Sequence, residues 1–165
     1  PGIRLGVLIP PRAALEGCLS IKATTDLQSP ALLQGALADY LTRSDWPSYL
    51  ERLRATYRER QENLHAELVA ATGDYGSLSL PDGGLNLWLQ LNGEIEPRDV
   101  YFNAVRRGVA FAIADSFSFH PARPKALRIA FGLTDPADFR EGATRLTAVL
   151  QSVVSPQLSL SSAVT

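Results

Sequence analysis

The chain of 165 residues contains no methionine, one cysteine and almost no net charge, and each shortage removes a class of protein. The sole cysteine, Cys18, rules out an internal disulfide and any cysteine-rich metal centre, and it fits a reducing compartment, with the cytoplasm as the default expectation. A formal charge of −1 gives no general attraction toward nucleic acid or an anionic membrane, so arginine clusters could act only locally. No apolar run reaches the ~18 residues of a membrane-spanning helix, and no basic segment followed by an apolar stretch opens the sequence. The missing methionine, with Pro1-Gly2 leading straight into an apolar run, makes a piece of a longer chain the expectation. What is present, 45% hydrophobic and 20% charged residues, is the composition of a globular domain with room for one ordinary core and not two.

Arg4-Leu5-Gly6-Val7-Leu8-Ile9 reads as a short buried strand ended by Pro10-Pro11, where ladder donors are lost. Ala14, Leu15, Cys18, Leu19 and Ile21 predict a helix from Arg12 to Lys22, stopped by Thr24-Thr25-Asp26. Ser29-Pro30 predicts a capping hydroxyl with proline at the first position of a second helix, which runs to about Leu41. Asp45 and Pro47 repeat the signal. From there Trp46, Tyr49, Leu50, Leu53, Tyr57, Leu64 and Leu68 trace one stripe down a third helix ending near Gly73. Its other face carries Glu51, Arg52, Arg54, Arg58, Glu59 and Arg60, which solvent and neighbouring charges explain more simply than nucleic acid does.

Leu78–Leu80 and the alternating Leu85–Leu91 predict strands joined through the turn Pro81-Asp82-Gly83-Gly84. Pro97 opens a helix through Arg107 with Val100, Tyr101 or Phe102, and Val105 turned inward, and Gly108 closes it. Val109–Ile113 and Leu127–Phe131 read as strands. Asp135-Pro136 starts a last helix with Phe139, Ala143, Leu146, Val149 and Leu150 on one face. From Ser155 onward the serine-rich composition predicts a disordered tail. The order from Asp45 to Val154 gives an α+β small domain, a two-layer α/β sandwich with a small, mainly antiparallel sheet. Residues 1–44 form a different packing unit, 45–154 the sandwich and 155–165 the tail.

Few residues announce chemistry. His65, on the third helix among Glu62, Asn63 and Glu67, reads as an exposed helix residue. His120, in Ser116-Phe117-Ser118-Phe119-His120-Pro121, lies in a loop where sites often form, yet a surface histidine is the simpler reading. Two such histidines without paired carboxylates do not make a metal site. Cys18 fits a small core residue better than a nucleophile, and Gly83-Gly84 lacks the spacing and lysine of a phosphate loop. Arg128 is different. A guanidinium in the middle of an apolar strand is costly to bury unless an anion meets it, or else it points to a solvated face; alternation leaves both open. Arg4, next to Leu5-Gly6, poses the same question, and phosphate or carboxylate suits its fork.

Taken in order, Pro1-Gly2-Ile3-Arg4-Leu5-Gly6, Thr25-Asp26-Leu27-Gln28-Ser29-Pro30-Ala31-Leu32-Leu33-Gln34, Tyr57-Arg58-Glu59-Arg60, Pro81-Asp82-Gly83-Gly84-Leu85 and Leu127-Arg128-Ile129-Ala130-Phe131 resemble the class I/II, fold type I aminotransferases from Pro1 to about Val154. The wording is most similar to the aminotransferase-like domain of GntR-headed regulators of the MocR type, and next to aminoadipate or kynurenine aminotransferases. The resemblance implies that residues 1–44 are a strand and two helices left from a large domain that binds pyridoxal phosphate, followed by the C-terminal small domain. It implies that Arg4 contacts the cofactor phosphate, that Arg128 grips the α-carboxylate of an amino-acid substrate or effector, and that the Schiff-base lysine precedes Pro1. Lys22 and Lys125, the only lysines, stand outside that context. The fragment should therefore bind no cofactor and be inactive alone. The segment Thr25–Gln34 implies a homodimeric parent, and DNA would be reached only through a further N-terminal domain. Ala114-Asp115-Ser116-Phe117 departs from the Pro-Gly-Ser-like turn of relatives. Three readings follow: an amino-group-transferring enzyme, a regulator whose domain binds cofactor and effector, and an interaction module that folds alone.

Overall fold

The computed structural model describes residues 3–26, 28–118 and 124–161, with side chains to Ser155. Contacts divide the chain into two units, Pro1–Glu51 and Arg52–Thr165. The division falls inside the third helix, a little beyond the boundary expected before Asp45.

The first unit holds helices α1 (Arg12–Thr25) and α2 (Ala31–Arg43) and the start of α3 (Trp46–Thr72). Lys22 spans the α1 exit, its Nζ 2.8 Å from Asp26 Oδ2 and 3.1 Å from the Ser29 hydroxyl. That contact occupies the hydroxyl expected to cap α2. The helix starts after Pro30 instead, with no side-chain cap. At α3 the capping expectation holds, because Asp45 Oδ1 accepts from the Ser48 amide at 3.3 Å.

Residues 4–10 do not form the strand that their apolar run predicts. They join no ladder among the described residues, Arg4 sits at φ 56°, and Val7 and Ile9 are each 89% exposed. A strand is held by bonds to a neighbour, and every strand of the sheet belongs to the second unit. Neither α1 nor α2 has a buried residue, and Leu19, Ile21 and Leu32 are exposed on them.

The second unit is the expected two-layer sandwich. Strands β1 (Gly76–Ser79), β2 (Asn86–Leu91), β3 (Ala112–Ile113) and β4 (Ala126–Ala130) form one antiparallel sheet in the order β1-β2-β4-β3. Alternation turns Leu87, Leu89 and Leu91 of β2 to one face, against Leu64 and Leu68 of α3, Val100 and Ala104 of α4 (Pro97–Arg106), and Phe139, Ala143, Leu146, Val149 and Leu150 of α5 (Phe139–Ser161). Each such leucine contributes about 1.5–3 kcal/mol by leaving water. Gly76 permits the β1–β2 approach, since a Cβ there would lie 2.3 Å from the Gln90 carbonyl oxygen.

Three details differ from the sequence reading. On α4 the buried face is Pro97, Val100 and Ala104, while Phe102 and Val105 are exposed, because small Ala104 lets α5 come close. Residues 109–111 stay out of the ladder, so β3 is shorter than Val109–Ile113. Gly108, at φ 74°, caps α4 as expected, and the Val109 amide is tied back to the Ala104 carbonyl at 3.0 Å. At the other end, α5 continues to Ser161 where composition predicts a disordered tail from Ser155. A helix anchored by Val149, Leu150 and Val153 propagates at far lower cost than it nucleates. No helix among the described residues is long and apolar enough to cross a membrane.

Candidate ligand-binding site

With Leu127 and Ile129 committed to the core, Arg128 must project from the opposite face of the sheet. Its strand neighbours in register are Trp88 on β2 and Ala112 on β3. Next in the chain after β3, a single 3-10 turn, Ala114–Phe117, folds back over this face. Ala114 anchors the turn by complete burial, Arg98 of α4 lies 3.8 Å from Asp115, and Phe117 reaches the arginine. The guanidinium carbon of Arg128 stands 4.1 Å from the Phe117 ring centroid.

Burial and bonding bear on the two readings of Arg128 that alternation leaves open. The side chain is half-buried, and its Nε is buried with no hydrogen-bond partner among the described residues. The ring satisfies the cation through its π face and offers no acceptor. An unpaired buried N–H costs about 1–3 kcal/mol, so this group fits an incoming anionic acceptor better than a solvated surface.

Lys125 precedes β4 and gathers the loop after β2. Its Nζ lies 2.8 Å from Glu96 Oε1 and 3.5 Å from Glu94 Oε2. The hydrogen bond to Glu96 raises the Lys125 pKa above the ordinary 10.5. An amine held charged in this way is a poor nucleophile.

The other sequence candidates lie elsewhere. Arg4 is exposed in the first unit, whereas Arg128 is in the second. His65 is half-buried rather than exposed, its Nε2 3.4 Å from the Leu78 carbonyl, which makes it a link between α3 and β1. His120 lies outside the described residues. Cys18 is half-buried on α1, and Gly83-Gly84 forms a turn with Gly84 at φ 91°. Among the described residues no cluster of histidine, cysteine and carboxylates could hold a metal ion.

The concavities formed by described residues of the second unit include two. One, of about 390 Å³, lies between residues 108–111, Ile129, Ala130 and the first turns of α5. The other, of about 320 Å³, lies between Arg54, Tyr57 and Arg58 of α3 and the Asp82–Gly84 turn. Arg128 lines neither of them.

No profile of a known protein family matches the chain. Individual relatives do. It is 28% identical over 159 residues to the HTH-type transcriptional regulator TauR of Rhodobacter capsulatus, a match covering 92% of this chain and 31% of the regulator. It is 25% identical over 155 residues to the 2-aminoadipate transaminase of Thermus thermophilus, covering 94% of this chain and 39% of that protein. Among solved structures, LysN, the α-aminoadipate aminotransferase of Thermus thermophilus complexed with N-(5'-phosphopyridoxyl)-L-leucine, matches with a TM-score of 0.81 at 24% identity, over 94% of this chain and 40% of that one. The chain has the fold of the matching part of that aminotransferase. It spans about a third of the length of the first curated relatives.

Within this aminotransferase-like fold, the fit to pyridoxal phosphate can be tested on the residues themselves. Lys22 is engaged by Asp26 and Ser29, and Lys125 by Glu96 and Glu94, so neither fits a Schiff-base position. Of the two arginines, Arg128 has a buried Nε with no partner among the described residues, while Arg4 is exposed. Sequence reasoning missed two neighbours of Arg128. Trp88 could have been found from the β2 alternation, which puts it on the face opposite Leu87 and Leu89. Phe117 gave a fainter signal, an aromatic residue closing a short polar turn.

Proposed function

We propose that this chain is the C-terminal part of a pyridoxal-phosphate-dependent aminotransferase-like protein, and that it serves as part of the cofactor- and effector-binding domain of a GntR/MocR-type transcriptional regulator. The observation that carries the reading is the Nε of Arg128, buried on the sheet face opposite the core with no partner among the described residues. In this reading Arg128 binds and orients the α-carboxylate of an amino acid or 2-oxo acid. Arg4 contacts the cofactor phosphate, and the lysine that holds the cofactor comes from a part of the parent outside these residues. When bound, the cofactor supplies the electron sink for amino-group chemistry. The chain's own residues supply charge and orientation.

The exposed apolar residues of α1 and α2, with Val7, Leu8 and Ile9, support assembly with more protein, in the form of the rest of the parent and a second copy in a homodimer. DNA would be reached through a domain outside this chain. The stand-alone enzyme is the second reading, favoured by similarity to the 2-aminoadipate transaminase and by the likeness to LysN. A winged-helix segment upstream in the gene supports the regulator, and a start codon shortly before the aminotransferase region supports the enzyme. Titration of the intact parent tests both: Arg128→Ala should weaken amino-acid binding by about 1.5–3 kcal/mol and leave cofactor affinity nearly unchanged. Equal amino-acid affinity in the two proteins discards the role.

A further inference from the structure

We infer that Phe117 is a positioning residue that holds the Arg128 guanidinium ready for a carboxylate, which rests on the reading of Arg128 given above. A guanidinium can be stabilised in two ways that do not compete. Its donors lie in the plane and are spent on acceptors, whereas its flat face can rest on an aromatic ring. Phe117 places its ring centroid 4.1 Å from the guanidinium carbon and offers no acceptor, so its contact spends none of the arginine's donors. The Nε is buried without an acceptor among the described residues, so one donor is withdrawn from water and open to a further partner.

The surroundings restrict the remaining freedom of the arginine. Trp88 and Ala112 flank it on the neighbouring strands, so a bulky residue stands on one side and a methyl group on the other. The turn that carries Phe117 is fixed at its start by buried Ala114 and joined to α4 through Asp115 and Arg98. Phe117 itself remains 46% exposed, more than core packing alone would leave it. Its position is explained by the arginine.

The test uses the intact chain and the proton–nitrogen resonance of arginine Nε, with glutarate as the carboxylate probe. Arg128→Lys identifies the Arg128 signal by its loss. In the wild type this signal should lie upfield through the ring current of Phe117 and move saturably with glutarate. Phe117→Leu should abolish the upfield displacement and weaken glutarate binding by about three- to tenfold, while Phe117→Tyr restores both. Chloride at equal ionic strength should not reproduce the saturable shift. If Phe117→Leu binds glutarate as the wild type does, the positioning role is overturned and the carboxylate role of Arg128 stands. If the ring-current displacement is present and no variant or wild type responds to glutarate, the carboxylate reading itself fails, and the positioning role with it.

Discussion

Replacing Arg128 with methionine should make the chain more stable while removing its response to carboxylates. Methionine keeps an unbranched stem of similar reach beneath Phe117 and beside Trp88, and removes the charge and its donors. The wild type carries a buried Nε–H without an acceptor among the described residues, a cost of about 1–3 kcal/mol. Against it stands the cation–π contact with Phe117, about 0.5–1 kcal/mol, part of which a thioether recovers against the ring. The difference favours the variant by about 0.5–2 kcal/mol. With an m-value of about 2 kcal/mol/M, the urea midpoint should rise by about 0.3–1 M. Tryptophan fluorescence and circular dichroism would follow the transition in a buffer free of carboxylate and phosphate. Glutarate should then stabilise the wild type and leave the variant unchanged. A midpoint lowered by ~0.3 M or more would mean that Arg128 is satisfied in the free chain, and the argument for an awaited anion would collapse.

Leu89→Ala, at a fully buried position whose register partners are Leu78 and Leu127, should cost about 2–5 kcal/mol in the same urea measurement. Gly108→Ala forces a side chain into φ 74° with its Cβ 2.9 Å from Arg145 Nη1, and should cost about 1–2 kcal/mol; Gly108→Asn should recover part of the loss. Because Glu96 raises the Lys125 pKa in the folded chain, the stability from that pair is fully present below the unfolded value near 10.5 and is lost as pH rises through the higher folded value. The midpoint difference between wild type and Lys125→Met should therefore hold from neutral pH to about 10 and shrink above it. Incubation with pyridoxal phosphate and borohydride should give no stoichiometric lysine adduct by mass spectrometry, since both ammonium groups are held by carboxylates.

The parts legible in the sequence were those where one local signal has no rival. The α5 stripe of Phe139, Ala143, Leu146, Val149 and Leu150 is fully buried as its spacing predicts, and the β2 alternation fixes both faces of the strand. The parts that misled had several apolar residues competing for one face, or a strand judged without its partner. On α4, Val100, Tyr101, Phe102 and Val105 surround the helix, and packing selected the face of the smallest residue, Ala104. Arg4–Ile9 has the composition of a strand, but composition supplies no ladder partner. The shortening of β3 came from a cap: once the Val109 amide is bound to the end of α4, the next residues cannot reach β4 in register.

The same logic explains how a generic core can set the place of a specific group. In β4 the side-chain period is two, so burying Leu127 and Ile129 against α3, α4 and α5 leaves Arg128 no other face. A slip of one residue would bring the guanidinium into the apolar layer and send the flanking residues out, at a cost far above that of one unsatisfied Nε. The register that protects the core is thus also the register that presents the arginine. Alternation fixes which way Arg128 points; the Ala114–Phe117 turn sets the ring that stands 4.1 Å from its guanidinium carbon. Core and site are therefore set by different parts of the sequence, and a change in the turn can alter how an anion is met without disturbing the sheet beneath it.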